Sequence, residues 1–342
     1  MDIALIITEE LKCRKEQVDA AIKLIDEGNT IPFIARYRKE ATGALNDEQL
    51  RNLDERLTYL RNLAEKKETV IASITEQEKM TPELKKAIDE AMTMVALDDL
   101  YRPYRPKRKT RATVAKEKGL QGLADIIMLQ FLDHPLEEEA GKYINAEKEV
   151  LTAEDAIAGA MDIIAENISD NADYRKSIRE RTSARGNLIS TAKDPEAESV
   201  YEMYYDFSSP VSKMTGHRTL AINRGEKEKF LTVKLEAPVD EIIGYLEKQN
   251  IARDNKYTTD VLKAAIADSY DRLIAPAIER EIRNQLTEEA EDGAIKVFGT
   301  NLKQLLMQPP ISGHTVLGWD PAFRTGCKLA VVDATGKVLD TK

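Results

Sequence analysis

Apolar residues recur at three- and four-residue intervals along most of this chain, so the sequence reads as a succession of amphipathic helices. Residues 3–11 form a short apolar helix, and Glu16–Glu27 a second with Val18, Ile22 and Ile25 on one face and Gly28 as its stop. Pro32 suits a first helical turn and opens Phe33–Glu40. Asn46-Asp47-Glu48-Gln49 is a capping-box start. From it Leu50, Leu53, Leu57, Leu60, Ala64, Ile71 and Ile74 keep heptad spacing, broken only at Lys67. One helix of about 30 residues is roughly 45 Å long. The break and the lack of flanking charge complementarity favour packing within the molecule over an intermolecular coiled coil.

Thr81-Pro82-Glu83 starts a helix with Leu84, Ala87, Ile88 and Met92 on its apolar side, and Val95–Tyr101 a shorter one. Pro103 and Pro106 forbid helix through the following stretch, which is therefore an extended loop until helix resumes near Gly119-Leu120. Further helices open at Pro135 and at Thr152, the latter turning Ile157, Ala160, Met161 and Ile164 inward, and Asp173–Arg185 is helical. Helical grammar continues through Glu196–Asp206, where Tyr201, Tyr204 and Tyr205 suit core packing. Arg218–Asn223 is a short helix stopped by Gly225, and Phe230–Leu235 a lone strand. Pro238 begins another helix, and Thr259–Met307 a long one, kinked near Pro276 and broken at Gly293.

The period then changes. After Pro309-Pro310, the best boundary in the chain, His314–Trp319 and Lys328–Asp333 are of strand type, and a third strand opens at Lys337 behind a Gly336 turn. Such a meander is too short to bury a face alone, so it reads as the opening of a larger sheet and the chain as truncated. The fold class expected is mainly α: a multi-helix body over 1–310 with long helices, followed over 311–342 by the first strands of an incomplete α/β domain.

The 342 residues are 42% hydrophobic, 32% charged and 6% aromatic, the balance of a soluble, helix-rich protein. No apolar run approaches the roughly 20 residues that span a bilayer, and the N-terminus lacks a signal pattern. A cytoplasmic protein without membrane partners is expected. Cys13 and Cys327, and His134, His217 and His314, are scattered, so no metal site is expected. The glycines form no phosphate-binding loop, and no cofactor is expected. A net charge of −10 argues against nucleic acid, but its distribution overrides the total. Residues 102–118 hold Arg102, Arg105, Lys107, Arg108, Lys109, Arg111, Lys116 and Lys118 against the single acid Glu117. A basic segment on an acidic body is the footprint of phosphate binding. Tyr101 and Tyr104 add stacking rings, and Arg36, Arg38 and Lys39 make a smaller basic turn. Solvated faces and local ion pairs are the competing account of such charges: binding is the stronger case for the 102–111 loop, the two stand even for Arg36–Lys39, and ion pairs lead on the arginine-rich Asp173–Arg185.

Several stretches share one resemblance. Gly318-Trp319-Asp320-Pro321-Ala322-Phe323-Arg324-Thr325-Gly326-Cys327 resembles the first strand and turn of the YqgF, RNase H-like domain of the bacterial Tex family of transcription accessory proteins. Ile31–Gly43, Asp99–Arg111, His217-Arg218 and Arg224-Gly225-Glu226 resemble Tex motifs in Tex order. The pattern departs from the family at Trp319 and Ala322, which alters the turn after Asp320. The resemblance implies a nucleic-acid-binding scaffold acting on transcription, with a helix-turn-helix-like subdomain over about 62–128. It places Asp320 at the first-strand carboxylate position of RNase H-like nucleases in a domain generally degenerate in Tex, so no enzyme is expected. The expected activity of this fragment is weak, sequence-independent binding of RNA or DNA through Arg102, Arg105, Lys107, Arg108, Lys109 and Arg111, with Tyr104, Arg36, Arg38 and Lys39. Two alternatives stand beside it: a metal-dependent RNase H-like nuclease in the full-length protein, and a scaffold docking onto RNA polymerase or other transcription machinery. An exposed seam along 50–74 would favour docking, and a seam covered by the helices of 259–307 would weaken it.

Overall fold

The computed structural model describes residues 2–309, 311–322 and 326–342, so Pro310 of the expected boundary and Phe323, Arg324 and Thr325 of the strand-turn motif lie outside the described residues. The chain is mainly α with two small sheets. Its N-terminal helices are α1 (Ile3–Leu11), α2 (Lys15–Asp26), α3 (Ile31–Tyr37) and the long α4 (Asp47–Glu76). The capping box forms as expected. Asn46 Oδ1 accepts from the Gln49 backbone N–H at 2.8 Å, and Gln49 Oε1 accepts from the Asn46 N–H at 3.0 Å.

α4 is covered, though by its sequence neighbours. Leu50, Leu53, Leu57 and Leu60 meet Ile7, Val18, Ala21 and Ile34 from α1–α3. Leu63, Val70 and Ile74 meet Ile88 of α5 (Pro82–Glu90) and Leu97 of α6 (Met94–Tyr101). The buried stripe runs through Leu63 and Val70 instead of Ala64 and Ile71. Lys67 continues this stripe: it is 5% exposed, and its Nζ donates to the Asp89 carbonyl at 2.7 Å, serving an otherwise unpaired acceptor near the end of α5. Burial pushes its pKa down, and the Asp89 carboxylate partly opposes this.

Beyond a 3₁₀ turn at Arg102–Tyr104 come α7 (Arg111–Glu117), α8 (Gln121–Leu129), α9 (Leu136–Gly141), α10 (Ala153–Ser169) and α11 (Ala172–Arg185). Helix thus resumes at Arg111, eight residues before the expected point, because Thr110 caps it by accepting from the Thr113 N–H at 3.0 Å and Ala112 and Ala115 are buried. The C-terminal helices are α12 (Gly216–Lys227), α13 (Val239–Asn250), α14 (Thr259–Asp268) and α15 (Ala275–Leu306), with a π turn over Ser269–Ile274 between the last two. That turn precedes Pro276, which lacks the N–H an α-helix needs.

Two strands escaped the helical pattern. β1 (Asn187–Ala192) and β2 (Asp206–Pro210) join β3 (Leu231–Glu236) in the order β2–β1–β3, so the lone strand has a partner. Tyr201 and Tyr204 are buried, as expected of core aromatics. Gly225 does not stop α12 but lies within it, where a Cβ would sit 2.6 Å from Leu231 Cδ1 and 3.1 Å from Tyr201 Cγ. Gly293 lies within α15 in open space. The second sheet is the antiparallel meander β4 (Val316–Asp320), β5 (Lys328–Val332) and β6 (Val338–Thr341), with Trp319 opposite Leu329.

By contacts the chain divides into two compact units: Met1–Ile189 with Ser208–Ser212 and Lys234–Ile282, and Ser190–Phe207 with Lys213–Val233 and Arg283–Lys342. No helix among the described residues is long and apolar enough to cross a membrane.

The two helical glycines separate packing from propensity. Gly225→Ala is expected to lower unfolding free energy in urea by about 1–3 kcal/mol through overpacking against Leu231, whereas Gly293→Ala is expected to raise it by about 0.5–1 kcal/mol. Equal effects would show that Gly225 is not packed as described.

Candidate nucleic-acid interface

The basic segment is anchored at both ends. α6 ends at Tyr101, whose hydroxyl lies 2.9 Å from Ser73 Oγ of α4, and the Gln77 side chain donates to the Tyr104 carbonyl at 2.8 Å. Tyr101 and Tyr104 both pack against the α4–α6 core, so Tyr104 is part of the loop's footing. The chain turns extended at Arg105 and is captured again by the Thr110 cap of α7. Anchors about five residues apart hold the intervening cations close to one another.

Those cations fall into two groups. Arg102 and Lys107 turn inward. Lys107 Nζ bonds Asp170 and lies 3.4 Å from Glu166 Oε2, and Arg102 Nε stands 3.3 Å from Asp170 Oδ1. Arg105, Arg108, Lys109 and Arg111 are exposed, and among the described residues none forms an ion pair. Arg111 reaches Asp162 and Asp268 only through its longer-range field.

Below the loop lies a closed ring of charge that sequence inspection missed. Arg175 of α11, 1% exposed, donates from Nε to Asp99 Oδ1 at 2.6 Å and from Nη2 to Glu281 Oε1 at 2.7 Å. Arg179, one turn on, donates to the other oxygens of the same pair, Glu281 Oε2 at 2.8 Å and Asp99 Oδ2 at 2.7 Å. Two guanidinium forks and two carboxylates thus tie α6, α11 and α15 together with no net charge. The local sequence did hold a signal. α11 has little apolar surface, and Arg175 and Arg179 flank Ile178 on the face it buries. Arg181 and Arg185 complete the helix by bonding Glu241 of α13. The arginines of α11 are therefore spent on ion pairs, between helices more than along one.

Three polar atoms here have no hydrogen-bond partner: Arg175 Nη1, Arg102 Nε and Asp170 Oδ1. Each buried atom left unmet costs about 1–3 kcal/mol. Burial pushes the Arg102 pKa down and the Arg175 charge adds to that, with Asp170 opposing. Burial pushes the Asp170 carboxyl up against the pull of Lys107. The loop, α6, α10 and α11 enclose a cavity of about 570 Å³ lined by Arg102, Arg105, Lys107, Arg108, Lys109 and Arg175 among others.

The other basic turn differs in kind. α3 ends at Tyr37, short of the expected Glu40, because Gln17 ties down the turn through the Gly43 carbonyl at 2.8 Å. Arg36 and Lys39 are exposed, and the Arg36 and Arg38 guanidinium groups lie 5.9 and 5.2 Å from the Tyr37 and Phe33 ring centres. Asp320 ends β4 and is exposed, and the described residues contain no group of three His, Cys, Asp or Glu side chains placed to hold a metal.

Fold and site together define a mainly helical scaffold with an anchored cationic loop and a C-terminal β-meander. Comparison with known proteins gives the family. The Tex-like protein N-terminal domain matches residues 1–75, the Tex central region-like family residues 133–298, and the Tex protein YqgF-like domain residues 314–342. The chain is 52% identical over 336 residues to the uncharacterized protein YdcI of Bacillus subtilis, covering 97% of this chain and 47% of that protein. It is 40% identical to the transcriptional accessory protein Tex of Neisseria gonorrhoeae, covering 100% of this chain and 46% of the relative. Human S1 RNA-binding domain-containing protein 1 is 34% identical, over 94% of this chain and 33% of its own length. The chain belongs to the Tex family and spans about half the length of its bacterial relatives.

Removing Arg175 leaves Asp99 Oδ1 unpaired in a buried site. Arg175→Met is expected to cost about 3–5 kcal/mol of stability in chemical denaturation, while Arg185→Ala, at an exposed side chain, costs under about 1 kcal/mol. Comparable losses would show that the ring is not buried as described.

Proposed function

We propose that this chain is the nucleic-acid-binding helical portion of a transcription accessory protein, gripping RNA or DNA weakly and without sequence preference through phosphate contacts. The observation that carries this reading is the division of the loop's cations. Arg102 and Lys107 are occupied by Asp170, while Arg105, Arg108, Lys109 and Arg111 are anchored, exposed and unpaired among the described residues. Cations held close without carboxylates release counterions when phosphates replace them. Arg36, Arg38 and Lys39, beside Phe33 and Tyr37, supply a second basic patch with rings for stacking. The short helices α5–α8 flanking the loop support a helix-turn-helix-like subdomain over about 62–128, with the body giving way to the YqgF-like strands near residue 310. One relative's name, transcriptional accessory protein, supports action in transcription.

Docking onto transcription machinery has its own support. Ile295, Phe298, Leu302 and Leu305 on α15 are exposed at three-and-four spacing, although the seam of α4 that would have favoured docking is covered by α1–α3, α5 and α6.

Changing Arg105, Arg108, Lys109 and Arg111 together to Ala is expected to weaken binding of labelled single-stranded RNA and duplex DNA alike. It should flatten the slope of log K against log salt by about 3, since each lost phosphate contact contributes about 0.7–0.9. An unchanged slope in fluorescence anisotropy would place binding elsewhere. Asp170→Asn releases Arg102 and Lys107 and is expected to tighten binding with a steeper slope; weaker binding by a folded variant would contradict the division of charges.

A further inference from the structure

We infer that the cavity beneath the basic loop is a socket for the terminal phosphate of a nucleic-acid strand whose backbone continues over Arg105, Arg108 and Lys109. The inference rests on the nucleic-acid reading above and adds to it a subsite and a strand end. Its starting point is the cavity floor, where Arg175 is 1% exposed and its Nη1 has no partner although Nε and Nη2 are fixed on Asp99 and Glu281. A guanidinium held on two sides with its third edge unmet is a preorganised donor. Arg102 lines the same cavity, its Nε 3.3 Å from Asp170 Oδ1 without a hydrogen bond, and the Arg102 and Arg175 charges repel. An anion placed between the two guanidinium groups offsets that repulsion.

Five carboxylates also line the cavity, and each has a cationic partner, although Asp170 Oδ1 makes no hydrogen bond. Asp99 and Glu281 are held by Arg175 and Arg179, Asp170 and Glu166 by Lys107, and Asp98 by Lys66 at 2.7 Å. The surplus is cationic and lies in Arg105, Arg108 and Lys109 on the exposed side. The volume of about 570 Å³ exceeds what one water needs and falls in the range of ligand sites. Among the described residues of the lining Val95 and Leu273 are the only large apolar ones, so no aromatic ring offers a base a face to stack on. A phosphate monoester fits this lining better than a nucleoside does. The free rim cations suit the diester chain behind it.

The test compares otherwise identical single-stranded RNAs carrying a phosphate at the 5′ end, at the 3′ end or at neither, by anisotropy with an internal label. One phosphorylated strand is expected to bind about tenfold tighter than the strand with two free hydroxyl ends. Inorganic phosphate at millimolar concentration should erase that difference. Arg102→Gln, at a partly exposed side chain outside the ring, is expected to remove the end preference while leaving circular dichroism nearly unchanged. Equal, salt-sensitive binding of all three strands would overturn the socket and leave the phosphate-binding loop standing. Absence of binding by every strand at low salt would overturn both. Adenosine monophosphate binding as tightly as the phosphorylated strand would make the cavity a small-molecule site and overturn the assignment to a strand end.

Discussion

The buried ring of Asp99, Arg175, Arg179 and Glu281 is the interaction on which the site depends. Four charges meet with their oxygens paired to guanidinium nitrogens at 2.6–2.8 Å. Desolvating such groups is costly, and only near-complete mutual satisfaction makes it tolerable. The geometry is correspondingly restrictive. α6, α11 and α15 must present these side chains in one register, and a shift of any helix strands a charge. This gives the helical body a specificity that its apolar stripes, tolerant of sliding and exchange, do not supply.

The loop inherits that precision. It leaves α6 three residues after Asp99, is braced against α4 by Tyr101 and Gln77, and is recaptured by the Thr110 cap. Asp170, one residue beyond α10, draws Arg102 and Lys107 inward. What remains outside is a short array of cations carried on a backbone that is anchored at both ends and has little freedom to lose on meeting an anion. An acidic chain of net charge −10 can present such an array because its carboxylates are committed where the loop touches the body.

Much of this was legible in the sequence. The capping box at Asn46, the leucine seam of α4, the helix opened by Pro82 and the terminal meander follow from local chemistry and period, and each forms. Where local signals misled, tertiary packing had overridden them. Gly225 looks like a helix stop, yet it serves the close approach of Leu231. Lys67 looks like a break in a seam, yet it continues the buried stripe by donating to a helix-end carbonyl. β1 and β2 are short and half-buried, so their alternation is too brief to stand out from helical spacing. The basic segment was visible at once as composition. Its division into occupied and free cations was not, because that division depends on Asp170 and Glu166, some 60 residues away in the chain. The ring partners Asp99 and Glu281 lie farther apart still and share no motif.

The central claim is that division, and lysine reactivity reads it directly. Limited acetylation followed by mass spectrometry, with and without a single-stranded RNA, measures Lys107 and Lys109 side by side in one loop. Lys109 is expected to be readily acetylated in the free chain and protected by RNA, while Lys107, held by Asp170, reacts slowly in both states. Equal reactivity of the two lysines, or a Lys109 that RNA leaves unprotected, would contradict the account.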